Sequence, residues 1–155
     1  MDLYLVLPGI IAGLVATGAM TLFELPFWKK WGLAGVFEWH ENQILASRLL
    51  RRDVKNLDLQ GIFALHFING GLGGLGLGLF LQIMPSFSSV PLLALGMAYG
   101  IFLWLLTLAP IHRPITGLCP WNHPLGKGPA LASLAGHMLY GMVLSAFLSM
   151  PIFSG

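Results

Sequence analysis

Glu24, His66 and His137 are the residues of this chain best placed for chemistry, because each sits in a long apolar run on a face otherwise made of small side chains. His66 lies one turn before the series Gly70, Gly74, Gly78, and His137 falls within Ser133, His137, Gly141, Ser145, so both follow a four-residue repeat. Glu24 ends the series Gly13, Thr17, Thr21, Glu24, and Thr107 follows Gly96 and Gly100 in a third run. At a helical rise of about 1.5 Å per residue, Glu24 and Thr107 lie roughly 5 Å, and His66 and His137 roughly 10 Å, inside the same ends of their runs. The four therefore share one layer. A carboxylate or imidazole facing lipid costs a few kcal/mol, so inward placement and mutual pairing are expected.

Several chemistries suit such a layer. His66 and His137 could be axial ligands of a haem or another tetrapyrrole, with the glycines beside them clearing room for the macrocycle. Glu24, His66 and His137, completed by His112 or His123, could hold Zn or non-haem Fe with an open position. The chain has neither the Glu-x-x-His nor the His-x-x-x-His spacing that would mark that metal site. In the plainer reading each ring donates to Glu24, Thr107 or a backbone carbonyl and ties helices together. Cys119 and His123 in Cys-Pro-Trp-Asn-His have a spacing that suits two ligands or a proline-stiffened turn. Glu24, two residues before Pro26, could accept a proton, pair with a histidine or reach the membrane surface. Gly70-Gly71-x-Gly-Gly sits in an apolar run without an adjoining Lys-Ser/Thr, which excludes a phosphate loop.

The elements that carry these residues are membrane spans. The chain has 155 residues, of which 56% are hydrophobic and 9% charged, with a mean hydropathy of +0.79, whereas a soluble domain is about a quarter charged. Its apolar residues form runs of about 20, the length that crosses a hydrocarbon layer of ~30 Å. The runs predict four transmembrane helices at about 3–28, 59–84, 90–111 and 129–152 in one all-α domain covering 1–155. No basic residue precedes the first run, so it reads as a retained span rather than a cleaved signal. Between the first two spans, Leu33, Val36, Phe37, His40, Ile44 and Leu45 recur at helical spacing, and Glu38, Glu41, Asn42, Arg48, Arg51 and Arg52 take the other positions. That pattern predicts an interfacial amphipathic helix at about 33–52, with Trp28, Trp31 and Trp39 in the aromatic belt. A turn at 85–89 joins spans two and three, and the Pro- and Gly-rich stretch 112–128 reads as an ordered loop.

Threading the spans puts all eight Lys and Arg residues on one side. By the positive-inside rule that side is cytoplasmic and both termini lie outside, in the cell membrane. Arg48, Arg51, Arg52 and Lys55 could also attract anionic head groups, at about 1 kcal/mol each. The net charge of +2 is too small to imply a nucleic-acid partner, and a single cysteine excludes an internal disulfide.

Three fragments carry a resemblance: Gly13-Leu-Val-Ala-Thr-Gly-Ala-Met-Thr21, His66-Phe-Ile-Asn-Gly70 and His137-Met-Leu-Tyr-Gly141. With them the chain resembles a family of uncharacterised four-helix membrane proteins of bacteria and archaea, a domain of unknown function. The resemblance implies a four-helix membrane fold and gives weight to His66 and His137. It supplies no reaction. The expected function is a small accessory subunit that packs its glycine faces in or against a larger membrane complex of electron transfer or light capture, its polar layer being structural or holding a His-ligated haem or pigment. The alternative is an autonomous metal-dependent membrane enzyme or carrier that uses Glu24, His66 and His137.

Overall fold

The computed structural model describes residues 5–55, 59–84 and 90–150. The expected turn at 85–89 and the outer ends of the first and last spans fall outside them. Helix α1 runs Val6–Trp31, α2 Phe37–Leu49, α3 Leu59–Ile83, α4 Leu92–Thr107, α5 Arg113–Thr116 and α6 Gly128–Leu148. Four helical stretches are long and apolar enough to cross a membrane: α1, α3, the continuous run Leu92–Thr116 made of α4 and α5, and α6. The protein is an all-α four-helix bundle with membrane-spanning character, as the apolar runs predict.

The third span differs from the expected 90–111. It continues to Thr116 through a wide π turn at Leu108–His112, so 112–116 is helix rather than loop. Pro110 explains the turn, because proline has no N–H and its ring clashes with the carbonyl four residues back. A single π turn absorbs that clash without ending the helix. In α1, Pro26 likewise leaves the helix unbroken to Trp31, three residues past the expected end.

Helix α2 follows a 3-10 turn at Leu33–Gly35 and is shorter than the expected 33–52. Val36 and Phe37 are buried and Arg48, Arg51 and Arg52 exposed, as the pattern predicts, but its polar face is divided. Glu41, Asn42, Gln43 and Ser47 are buried, whereas Leu49 and Leu50 are exposed. Trp39, expected in the aromatic belt, is fully buried with Val36 and Ile62 in a cluster that also takes in Leu25, Trp28 and Phe63.

Two seams of small residues hold the bundle. Along α1 and α3, Gly9 and Gly13 meet Gly74, and Thr17 meets Gly70; a Cβ built on Gly74 would stand 2.7 Å from the Gly13 Cα. Along α4 and α6, Gly96 meets Gly141 and Ser145, while Gly100 meets the His137 backbone. In both seams residue numbers run in opposite directions, so the helices are antiparallel. Small side chains let backbones approach closely enough for dispersion to hold them in lipid, where no hydrophobic drive separates helix from solvent. Ala12, Ala16, Met20, Leu77, Tyr140, Leu144 and Leu148 fill the core between the seams, where α1 packs on α6. Helices α3 and α4 have no such seam. Side chains of α4, Tyr99 and Leu103, reach Gly73 of α3 instead.

Candidate functional site

The gap between α3 and α4 leads to a cavity of about 350 Å³. That is at the lower end of the range for small-molecule sites, about 300–1,000 Å³. Its lining includes Glu38, Glu41 and Asn42 from α2, His66, Asn69, Leu72 and Gly73 from α3, Tyr99, Leu103 and Thr107 from α4, and His137 and Tyr140 from α6. No Lys or Arg lines it. Leu72 is 60% exposed, so one wall continues to the lipid-facing surface.

Carboxyl–imidazole pairs organise the polar end. His66 Nε2 lies 3.7 Å from Glu24 Oε2, and His137 Nδ1 lies 3.4 Å from Glu38 Oε1. Glu24 also faces Glu38 and the Trp39 indole, which joins the two pairs into one cluster. His137 Nδ1 is also 3.0 Å from the Ser133 carbonyl, which can only accept, so that nitrogen carries a proton. Ser133 Oγ donates to Glu38 Oε1. His66 Nε2 has no hydrogen-bond partner, although the residue is only 6% exposed and lines the cavity. The predicted layer of Glu24, His66 and His137 is therefore brought together, with Glu38 as its fourth member.

A third pair lies nearer the bundle end. His112 is fully buried, and its Nδ1 is 2.8 Å from Glu41 Oε1. His112 thus does not complete the Glu24, His66, His137 group. His123 also has another partner, since its Nδ1 accepts the Leu125 N–H at 3.2 Å. Phe37 packs on both His112 and His123, and the His40 ring stands 6.2 Å from that of His112. Among the described residues no three His, Cys, Asp or Glu side chains are arranged to hold a metal ion. Cys119 is a free, half-buried thiol.

Neighbouring carboxyls of α2 are driven in opposite directions. Burial would raise Glu38, but His137, the Ser133 hydroxyl and its own backbone N–H together outweigh burial and hold it below the usual carboxylate range. Glu41 is pushed up to about 9, first by burial and then by the Glu38 charge. Glu38 is thereby an anion and Glu41 a neutral acid near pH 7, the division of roles that lets two carboxyls hold and release a proton separately.

The glycines expected to clear room for a macrocycle do not do so. Gly70 faces the Thr17 side chain, and Gly74 and Gly78 face the backbone of Gly9 and Gly13 and the Leu5 carbonyl just before α1, so α1 fills that space. On the cavity side the same helix offers carbonyls: Tyr99 donates to Gly73 O and Tyr140 to Gly70 O, each at 2.6 Å. Thr107, expected as a partner for the histidines, bonds back to Trp104 O at 3.3 Å and lines the cavity.

Sequence reasoning missed six of these residues as inward-facing: Glu38, Glu41, Asn42, Asn69, Tyr99 and Tyr140. Two of them carried a signal. Asn69 and Tyr140 stand three residues after His66 and His137, on the same helical faces. The carboxylates of α2 carried none, because a polar face on a connecting helix reads as solvated. No known protein family, curated protein or solved structure matches the chain.

Proposed function

We propose that this protein binds a lipid-soluble molecule with an uncharged, hydroxyl-bearing head, admitted from the bilayer between α3 and α4. The observation that carries this reading is the cavity itself: an acidic and imidazole-lined end inside an apolar bundle, with a wall open toward lipid. Glu38 accepts hydrogen bonds, and the unpartnered Nε2 of His66 and the amides of Asn42 and Asn69 can donate or accept. A hydroxyl suits those acceptors. Glu38 and the absence of a lining Lys or Arg disfavour fatty acids and phosphates, whose charge would go unpaired in low dielectric. Met20, Leu72 and Leu103 take the apolar body.

A quinol is the member of this class that fits the expected setting. The protein then acts as a small accessory component of electron-transfer machinery, holding a lipid-soluble carrier in place of a haem. The glycine packing against α1 argues against a macrocycle on that face. Lys29, Lys30, Arg48, Arg51, Arg52, Lys55, Arg113 and Lys127 give the orientation, with the site near the cytoplasmic side and both termini outside.

The test uses the full chain in lipid nanodiscs, titrated with a decyl hydroquinone and, separately, with decanoate. The hydroquinone should bind saturably, and Glu38→Gln, His66→Ala and a Leu72→Trp block of the opening should each weaken it about tenfold or more. Decanoate binding as tightly as the hydroquinone, or Leu72→Trp leaving affinity unchanged, defeats the reading.

A further inference from the structure

A second group of side chains joins this cavity to the end of the bundle. Glu41 lines the cavity and touches His112 at 2.8 Å. His112 is completely buried, and its other nitrogen, Nε2, has no hydrogen-bond partner. Beyond it lie His40, whose ring stands 6.2 Å from that of His112, and His123, which packs with His112 on the Phe37 ring. His123 is followed by exposed Pro124 and Leu125, and His40 is part-exposed, so this side of the group reaches the surface. The π turn makes the junction, since it carries His112 to α2 while Pro110 passes within the helix.

We propose that Glu41 and His112 form a proton path between the aqueous end of the bundle and the cavity. The geometry that carries it is one cavity-lining carboxyl, one buried imidazole in hydrogen-bond contact with it, and two histidines outside. Glu41 passes the proton of its carboxyl to an acceptor in the cavity. The carboxylate then takes the Nδ1 proton of His112 across the 2.8 Å contact, and His112 Nε2 takes one from the His40 and His123 side. Rotation of the carboxyl and return of the imidazole to its first tautomer restore the start. One proton enters for each one delivered, and no electron moves.

The groups around Glu41 suit this role. Glu38 on α2 faces it as an anion, and His66 of α3 and His137 of α6 line the same cavity. The nearby cations stay outside: Arg48 is exposed and donates to Ile115 O at 3.2 Å, and Arg113 is exposed. No fixed positive charge therefore bars a proton. Burial holds Glu41 up at about 9, so the carboxyl is loaded near neutral pH.

The path rests on the cavity reading, but its test needs no ligand. The full chain in nanodiscs is mixed rapidly into D₂O, and exchange at the Glu24 carboxyl is followed by its infrared band, assigned with Glu24→Gln. Glu41→Gln and His112→Gln should each slow that exchange about tenfold, and Glu41→Asp should restore part of the rate. His112→Gln is chosen because glutamine can keep the hydrogen bond to residue 41 yet cannot titrate. Unchanged exchange in both variants overturns the path, as does slowing in a His112→Phe variant that His112→Gln does not share. Failure of hydroquinone to bind, with exchange still slowed, overturns the ligand and leaves the path standing.

Discussion

Helix α3 has two sides that use glycine in opposite ways. Toward α1 it closes: Gly70, Gly74 and Gly78 meet backbone and Thr17 so tightly that no Cβ fits. Toward α4 it stays open, because Tyr99, Leu103 and Tyr140 stand between the helices, and the Tyr99 and Tyr140 hydroxyls bond the carbonyls of Gly73 and Gly70. A glycine-rich span does not by itself specify a pocket or a packing face. The size of what the neighbouring helix presents decides which one forms. Small residues on α1 give a seam, and large hydroxylated ones on α4 and α6 give a lined cavity.

The comparison breaks most completely on the closed side. Gly74→Leu places a side chain against the Gly13 backbone, at 2.7 Å from its Cα for the first carbon alone. Overpacking costs about 1–3 kcal/mol where side chains can shift, and here only backbone could. The variant should lose the folded bundle, with no cooperative thermal transition in detergent. Gly18→Ala is the control, since nothing lies within 4 Å of its Cβ position. That change should stabilise by about 0.5–1 kcal/mol, the usual gain for alanine over glycine inside a helix.

The open side should respond to pH. Glu41 keeps its proton to about pH 9 in the folded chain, against an ordinary value of 4.5. Its contribution is therefore full below pH 4.5 and is lost progressively as pH rises toward 9, with a slope of at most about 1.4 kcal/mol per pH unit. His40 acts in the other direction. Burial, then His112 and His123, lower it from 6.5 to about 4. The unfolded chain thus gains a proton that the folded chain refuses, and stability falls as pH drops from 6.5 toward 4. Chemical denaturation across pH 5 to 9 should show the alkaline decline in the parent and a flatter line in Glu41→Gln. An identical decline in that variant would remove Glu41 as its source.

Tyr99→Phe and Tyr140→Phe sharpen the comparison, since each removes one hydroxyl bond while keeping the ring that props the helices apart. Each should cost about 1 kcal/mol or less in unfolding free energy, as interhelical hydrogen bonds in bilayers do. Hydroquinone affinity should change more in these variants than in Gly18→Ala. The smallest effect is expected from Arg48→Ala, whose exposed bond to Ile115 O lies outside both sides of α3. Its stability should stay within about 0.5 kcal/mol of the parent.

Much of the fold was legible because lipid imposes lengths. Four apolar runs become four helices, since an unpaired backbone cannot cross hydrocarbon. The burial of Glu24, His66 and His137 was legible for a related reason: polar groups on small-residue faces have nowhere else to go. The course of Leu92–Thr116 was not, because Pro110 suggests a stop, and only the surrounding packing favours a π turn over a break. The inward face of α2 was hidden too. Glu38, Glu41 and Asn42 look solvated in any window of sequence, and their burial depends on Ser133, His112 and Asn69, which stand 95, 71 and 27 residues away.

Four membrane-length helices with a polar layer inside them follow from periodicity and hydropathy, local properties that the bilayer reads directly. Only the tertiary structure decided that α3 closes on α1 and stands off from α4. It also decided that three histidines find three glutamates, Glu24 with His66, Glu38 with His137 and Glu41 with His112. Pairings between distant residues are set by how whole helices pack, and a polar side chain buried far from its partner in sequence leaves no periodic trace.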